Sequence, residues 1–197
     1  MLLLPLFLAC AHPSPSPVSG VVAPSSSAAT STPTPSASAE EALAPRPFPS
    51  AALAAGIPQG TKIRLGIEQA GQPTVEQRWE FTKCTADAAT IASKVYDTNG
   101  TLLTDEGEAT TPWTELEKHA SFPAAATTRT DDTIDGPLGH LDTWLYTVTV
   151  PGDDGIMLVK RYEFSKTMPG PPVLFTTERQ GEEIFRMTML ERSTPSK

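Results

Sequence analysis

The chain has 197 residues, with 15 Lys and Arg against 23 Asp and Glu, for a formal net charge of -8. That length suffices for one ordinary domain with a tail, and the acidic balance excludes a nucleic-acid footprint or a polybasic membrane patch. The two cysteines, Cys10 and Cys84, make no disulfide framework, and the 20 prolines, about twice the usual share, are unevenly spread.

Residues 2–9, Leu-Leu-Leu-Pro-Leu-Phe-Leu-Ala, form an apolar run. It falls well short of the roughly 20 residues that span a bilayer, but it suits the h-region of a secretory signal. It ends Phe7-Leu8-Ala9-Cys10, which resembles the bacterial lipobox. The resemblance implies a signal-like segment over 1–9, cleavage after Ala9, and acylation of Cys10 on its thiol and its new N-terminus. The membrane is then a partner through lipidated Cys10. Ala11 after the cysteine agrees with sorting to the outer membrane, facing the periplasm. Phe7 stands where leucine is usual and no Lys or Arg precedes Arg46, so an ordinary secretory signal, or a coil with one stray cysteine, is the alternative.

Residues 10–55 read as a lipid-anchored, disordered Pro/Ser/Ala/Thr tether. Between 11 and 50 there are nine prolines and ten serines, Glu40, Glu41 and Arg46 are the only charges, and large apolar side chains are almost absent before Phe48. Such a chain cannot bury enough apolar surface to offset its ordering entropy, and its prolines bias it toward extended polyproline II.

Over 56–193 the pattern predicts a β domain. Ile63, Leu65 and Ile67 alternate with charged residues in 61–69, as do Val75, Trp79 and Phe81 in 74–83, the period of half-buried strands. A third strand fits 89–97 and leads through Asn99-Gly100, the favoured pair of a type I′ turn, into 101–108. One short helix is predicted over about 112–121, with Thr111 as cap and Pro112 at the first helical position. Strand signals resume at 127–135, 141–150, 156–164, 172–180 and 182–192, joined by Gly- and Pro-rich turns. The expected fold is therefore mainly β. It is a curved antiparallel meander sheet or partial barrel of about nine strands with one short helix inside. The strand around Trp144, apolar on both faces, is expected at the sheet centre.

This layout, over about 60–192, resembles the half-barrel envelope proteins of the Lol lipoprotein-carrier type, a likeness of arrangement that carries over no binding residue. It implies a non-enzymatic envelope protein. In such a half-barrel the inner aromatics Trp79, Phe81, Trp144, Tyr146, Tyr162 and Phe164 could line an apolar cleft for an acyl chain, with Met187 and Met189 as soft neighbours. Plain core is the favoured reading of the same residues.

Little else in the sequence carries chemistry. His12, His119 and His140 lack the paired spacing of metal ligands, so no metal and no cofactor is expected. Asp131, Asp132 and Asp135 lack the remaining ligands of a calcium loop, and Cys84 has no local signature of a nucleophile. Three readings stand: a lipoprotein binding a hydrophobic ligand or an envelope partner; a structural or assembly lipoprotein acting through a protein–protein surface; and an enzyme with an unrecognised site. An open apolar cavity favours the first, and a filled barrel with an exposed apolar patch the second.

Overall fold

Alternation of apolar and polar side chains becomes strand wherever the sequence predicts it. The computed structural model, which describes residues 42–195, contains β1 (Lys62–Gln69), β2 (Val75–Cys84), β3 (Ala88–Asp97), β4 (Leu102–Pro112), β5 (Thr127–Gly136), β6 (Gly139–Pro151), β7 (Met157–Ser165), β8 (Leu174–Arg179) and β9 (Glu182–Ser193). The strands form one unclosed antiparallel sheet in the order β4-β3-β2-β1-β9-β8-β7-β6-β5. Two meanders, β1 to β4 and β5 to β9, are joined by the pairing of β1 with β9, where Lys62 lies opposite Ser193 and Leu65 opposite Met189. The protein is mainly β, a curved meander sheet, as expected.

One face of this sheet, the inner face, carries the core. Leu65 and Tyr146 are fully buried there, with Ile63, Phe81, Phe164, Met187 and Met189 close to it. Strands β4 and β5 follow one another in sequence yet form opposite edges, so the linker between them runs across the inner face. It holds α2 (Trp113–Lys118) and a 3-10 turn at Ala124–Ala126. Trp113 is buried and its indole Nε1 donates to the Thr85 carbonyl at 3.0 Å, satisfying the one polar group that burial would otherwise orphan.

Several expectations change. Strand β6 lies second from an edge, not at the centre. Its second apolar face reflects local cover near the β5–β6 hairpin, where Ile134, Leu138 and Leu141 pack against the core. The expected tether boundary at 55 gives way as well. Residues 1–41, including Cys10, lie outside the described residues, but 42–55 belong to the folded domain: Ala44, Phe48 and Leu53 are buried in the core, as is Ile57. This stretch adds a second helix, α1 (Ser50–Gly56). The linker helix is shorter than 112–121 because β4 continues to Pro112, which pairs with Ala88, and Thr111 makes no cap.

Turn chemistry is redistributed too. Among the described residues the one non-glycine with positive φ is Gln180 (55°), followed by Gly181 (84°). They form the two-residue loop between Arg179 and Glu182, the geometry that the sequence predicts for Asn99-Gly100. At Asn99-Gly100 only Gly100 has positive φ. The Asp97 carboxylate accepts the Asn99 and Thr101 N–H groups at 2.9 and 2.7 Å and so holds a different turn.

Candidate functional site on the inner aromatic face

Cross-strand register assembles the aromatic face. In β6 and β7 Trp144 pairs with Phe164 and Tyr146 with Tyr162, and in β8 Phe175 pairs with Tyr162 and with Met187 of β9. The rings touch in sequence across the strands: Tyr146 to Phe164 at 5.6 Å, Tyr162 to Phe175 stacked at 4.4 Å, and Phe175 to Phe185 at 5.2 Å. Four of the six residues expected to line a cleft thus form one contact group. The other two, Trp79 and Phe81 of β2, are buried in the opposite wing of the same core.

The face is not open. Residues 42–57 lie over it as a strap, and Phe48 packs against Trp144 at 5.7 Å and Phe164 at 6.4 Å. From the linker, Phe122 covers Tyr162 at 4.7 Å and Tyr146 at 5.4 Å. The expected apolar cleft is therefore filled by the chain itself. The signal for the strap was Phe48, Leu53 and Ile57 in sequence, but Pro, Ala and Ser around them continue the tether composition.

Polar contacts hold the strap along its length, at 42–46, at Ser50 and at Gly56, and Phe48 and Leu53 pack into the core between them. Ala44 N–H donates to the Phe122 carbonyl and Ala124 N–H to the Ala42 carbonyl, both at 2.8 Å, and the Tyr146 hydroxyl donates to the Pro45 carbonyl at 2.5 Å. Glu117 of α2 accepts from Arg46 Nη1 at 2.6 Å and from Ser50 N–H at 2.8 Å. These contacts, Arg46 first, hold its carboxyl below the usual range. At the far end Arg192 of β9 donates to the carbonyls of Pro169 (2.9 Å) and Gly56 (2.7 Å). Burial lowers its guanidinium pKa, and among the described residues no carboxylate pairs with it.

Other candidates are spent separately. Lys166 pairs with Asp131 at 2.7 Å, and His140 Nδ1 lies 3.0 Å from Asp135 at a hairpin end. Asp132 accepts its neighbour's N–H at 2.8 Å. Cys84 is a free thiol packed against the core, pushed up in pKa by burial, an inert setting for sulfur. Burial also lowers His119, whereas His12 lies outside the described residues. Among the described residues no group of three or more His, Cys, Asp or Glu is placed to hold a metal ion.

On the outer face Arg64 bridges Glu76 (2.7 Å) and Glu191 (2.8 Å). Arg78 also meets Glu76 and lies 4.0 Å over the Tyr96 ring. A shallow groove of about 490 Å³ runs between these groups, and its Lys62, Arg64, Arg78 and Lys94 are each paired with a carboxylate. Sequence reasoning missed Glu163 on β7. It is buried, accepts from Thr143 Oγ1 at 2.6 Å, and is raised in pKa by that burial. Set against known proteins, the chain matches no family model and no curated sequence.

Proposed function

We propose that the chain is a non-catalytic lipoprotein of the bacterial cell envelope. It is anchored through acylated Cys10, and its β domain takes a hydrophobic ligand onto the inner aromatic face in place of the strap. One observation carries this reading. The sheet does not close, and its aromatic face, filled rather than open, is covered by a separate strap of the same chain whose Phe48 packs against Trp144 and Phe164. An apolar face covered by a separate segment of the chain can exchange that cover for an acyl chain where the two covers differ little in free energy. No metal or cofactor enters.

The test is native mass spectrometry of the purified chain for co-purifying lipid, joined to a tryptophan-fluorescence titration with laurate. A one-to-one complex with a saturating fluorescence change supports the reading. A protein that stays lipid-free and gives no saturable change refutes it.

A second reading, assembly through a protein–protein surface, is favoured by β5. This edge strand pairs with β6 over all ten residues without a bulge, and among the described residues no strand pairs with its other edge, which a partner strand could take.

A further inference from the structure

The two edges of the sheet are finished differently. At β4 the ladder to β3 shifts register between Ser93 and Lys94 and again between Val95 and Tyr96, and Gly107 takes a φ of 75°. Irregularities of this kind turn an edge away from a further strand. β5 has none. It keeps one unbroken register with β6, from Thr127 opposite Val148 to Gly136 opposite Gly139, and contains no proline.

The neighbouring ladder fixes which backbone groups β5 turns outward. The Lys166 N–H donates to the Asp142 carbonyl at 2.9 Å, so Asp142 faces β7 and not β5. Along a strand in antiparallel ladders this orientation alternates residue by residue. Leu141, Thr143, Leu145 and Thr147 therefore face β5 and bond Ile134, Asp132, Thr130 and Thr128. Thr127, Arg129, Asp131, Thr133 and Asp135 are left with N–H and C=O groups that point away from the sheet. Of these donors, the Thr133 N–H is met by the Asp132 carboxylate at 2.8 Å.

Side-chain charge makes this edge selective. The Arg129 guanidinium is turned back over Trp144 at 4.7 Å and Tyr146 at 5.5 Å. Asp131 and Asp135 on the same face are 81% and 87% exposed, and Asp132 is exposed on the other face. Lys166 and His140 reach Asp131 and Asp135 from the β6–β7 side at 2.7 and 3.0 Å. A carboxylate offers about four acceptor positions, so each keeps capacity for a further cation. A second copy of β5 would set three aspartates and one arginine against the same set, and like charges placed opposite one another are destabilising.

We propose that β5 takes a cationic extended segment of another protein as an added strand. Its backbone bonds the outward groups of Thr127, Arg129, Asp131, Thr133 and Asp135, and its Lys or Arg side chains, at every second position, lie beside Asp131 and Asp135. The carbonyl of an arriving residue replaces the Asp132 carboxylate on the Thr133 N–H. This rests on the assembly reading given above and adds the partner's chemistry. Main-chain bonds supply affinity in such strand addition, and the alternate side chains supply selection.

The experiment adds the peptide Lys-Val-Lys-Thr-Lys-Val-Lys to the full chain and follows the β5 amides by NMR hydrogen exchange, with the Glu-for-Lys peptide as control. An alternating footprint is expected: the amides of Arg129, Asp131, Thr133 and Asp135 gain protection, whereas those of Thr128, Thr130, Asp132 and Ile134 have it already. The lysine peptide should bind at least about tenfold more tightly than the glutamate one, as two or three opposite-charge pairs would give. Asp131→Asn combined with Asp135→Asn should remove most of that preference. Thr133→Pro should abolish binding at an unchanged melting temperature, since proline is tolerated where an edge N–H faces solvent. Binding without alternating protection is mere attraction to an acidic surface and overturns the proposal. Equal protection by both peptides overturns the cationic partner while the assembly reading stands. Protection that grows with protein concentration in the absence of peptide gives the edge to a second copy and overturns it too. If neither peptide protects β5, the proposal and the assembly reading fall together.

Discussion

Truncating Phe48 to alanine should weaken the fold and strengthen ligand binding together. Phe48 is 6% exposed and its ring meets Trp144 and Phe164. Phe-to-Ala changes at buried sites cost about 3–5 kcal/mol. The strap can relax at its polar ends, so the low end, about 3 kcal/mol, is expected here. If that loss falls on closure of the strap, the strap-open population rises by about two decades, since 1.4 kcal/mol is tenfold. Apparent affinity for laurate should then rise by up to about 100-fold. Urea unfolding gives the stability and fluorescence titration the affinity. Leu65→Ala, fully buried in the other wing, supplies the control: a similar stability loss with no gain in affinity. A Phe48→Ala protein that loses about 3 kcal/mol and binds laurate no better would refute the idea that the strap competes for the face.

Other outcomes can be checked alongside. Glu117 has its pKa depressed by Arg46 and the Ser50 N–H; its contribution is present above the unfolded carboxylate range and lost as pH falls through the folded value. Strap protection in hydrogen exchange should therefore decline on acidification, and Glu117→Gln should flatten that dependence. Glu163, raised by burial, has the opposite sign: stability falls as pH rises from its unfolded value through its folded one. Glu163→Gln should remove that fall in urea melts. At Gly56 an added Cβ would lie 2.7 Å from Pro169 Cγ, so Gly56→Ala should cost about 1–3 kcal/mol in thermal unfolding. Cys10→Ser should convert a membrane-bound protein into a soluble or unprocessed one, read by fractionation and N-terminal mass. Two or three acyl chains hold firmly where one does not. A mature wild-type N-terminus without acyl mass would count against the anchor.

The strands were legible because period-2 alternation is local: Ile63, Leu65 and Ile67 announce β1 without any knowledge of its partners. What sits beside β1 was not legible. Its pairing with β9 joins segments that no hairpin turn connects, so the meander read from the turns lacked its seam. The strap was hidden for a compositional reason. Phe48, Leu53 and Ile57 lie among Pro, Ala and Ser that look like tether, and only tertiary packing against Trp144 and Phe164 makes them core. At the site the aromatic residues could be named from sequence. The stacking of Arg129 over Trp144 and Tyr146 could not, because it depends on the β5–β6 register. Asn99-Gly100 misled because the Asp97 side chain, two residues upstream of Asn99, competes for the same backbone donors.

The β1–β9 seam also governs how the chain comes to be folded. Each hairpin can zip as soon as its own turn forms, but Lys62 and Ser193 stand about 130 residues apart, and joining them carries the loop-closure entropy of nearly the whole domain. Topologies with such distant pairings fold slowly. During synthesis the first four strands emerge early, while β1 keeps a bare hydrogen-bonding edge until the last strand has left the ribosome. That edge, flanked by Ile63, Leu65 and Ile67, is the surface through which a nascent copy would aggregate, so the final dozen residues of the sheet act as its own late-arriving chaperone.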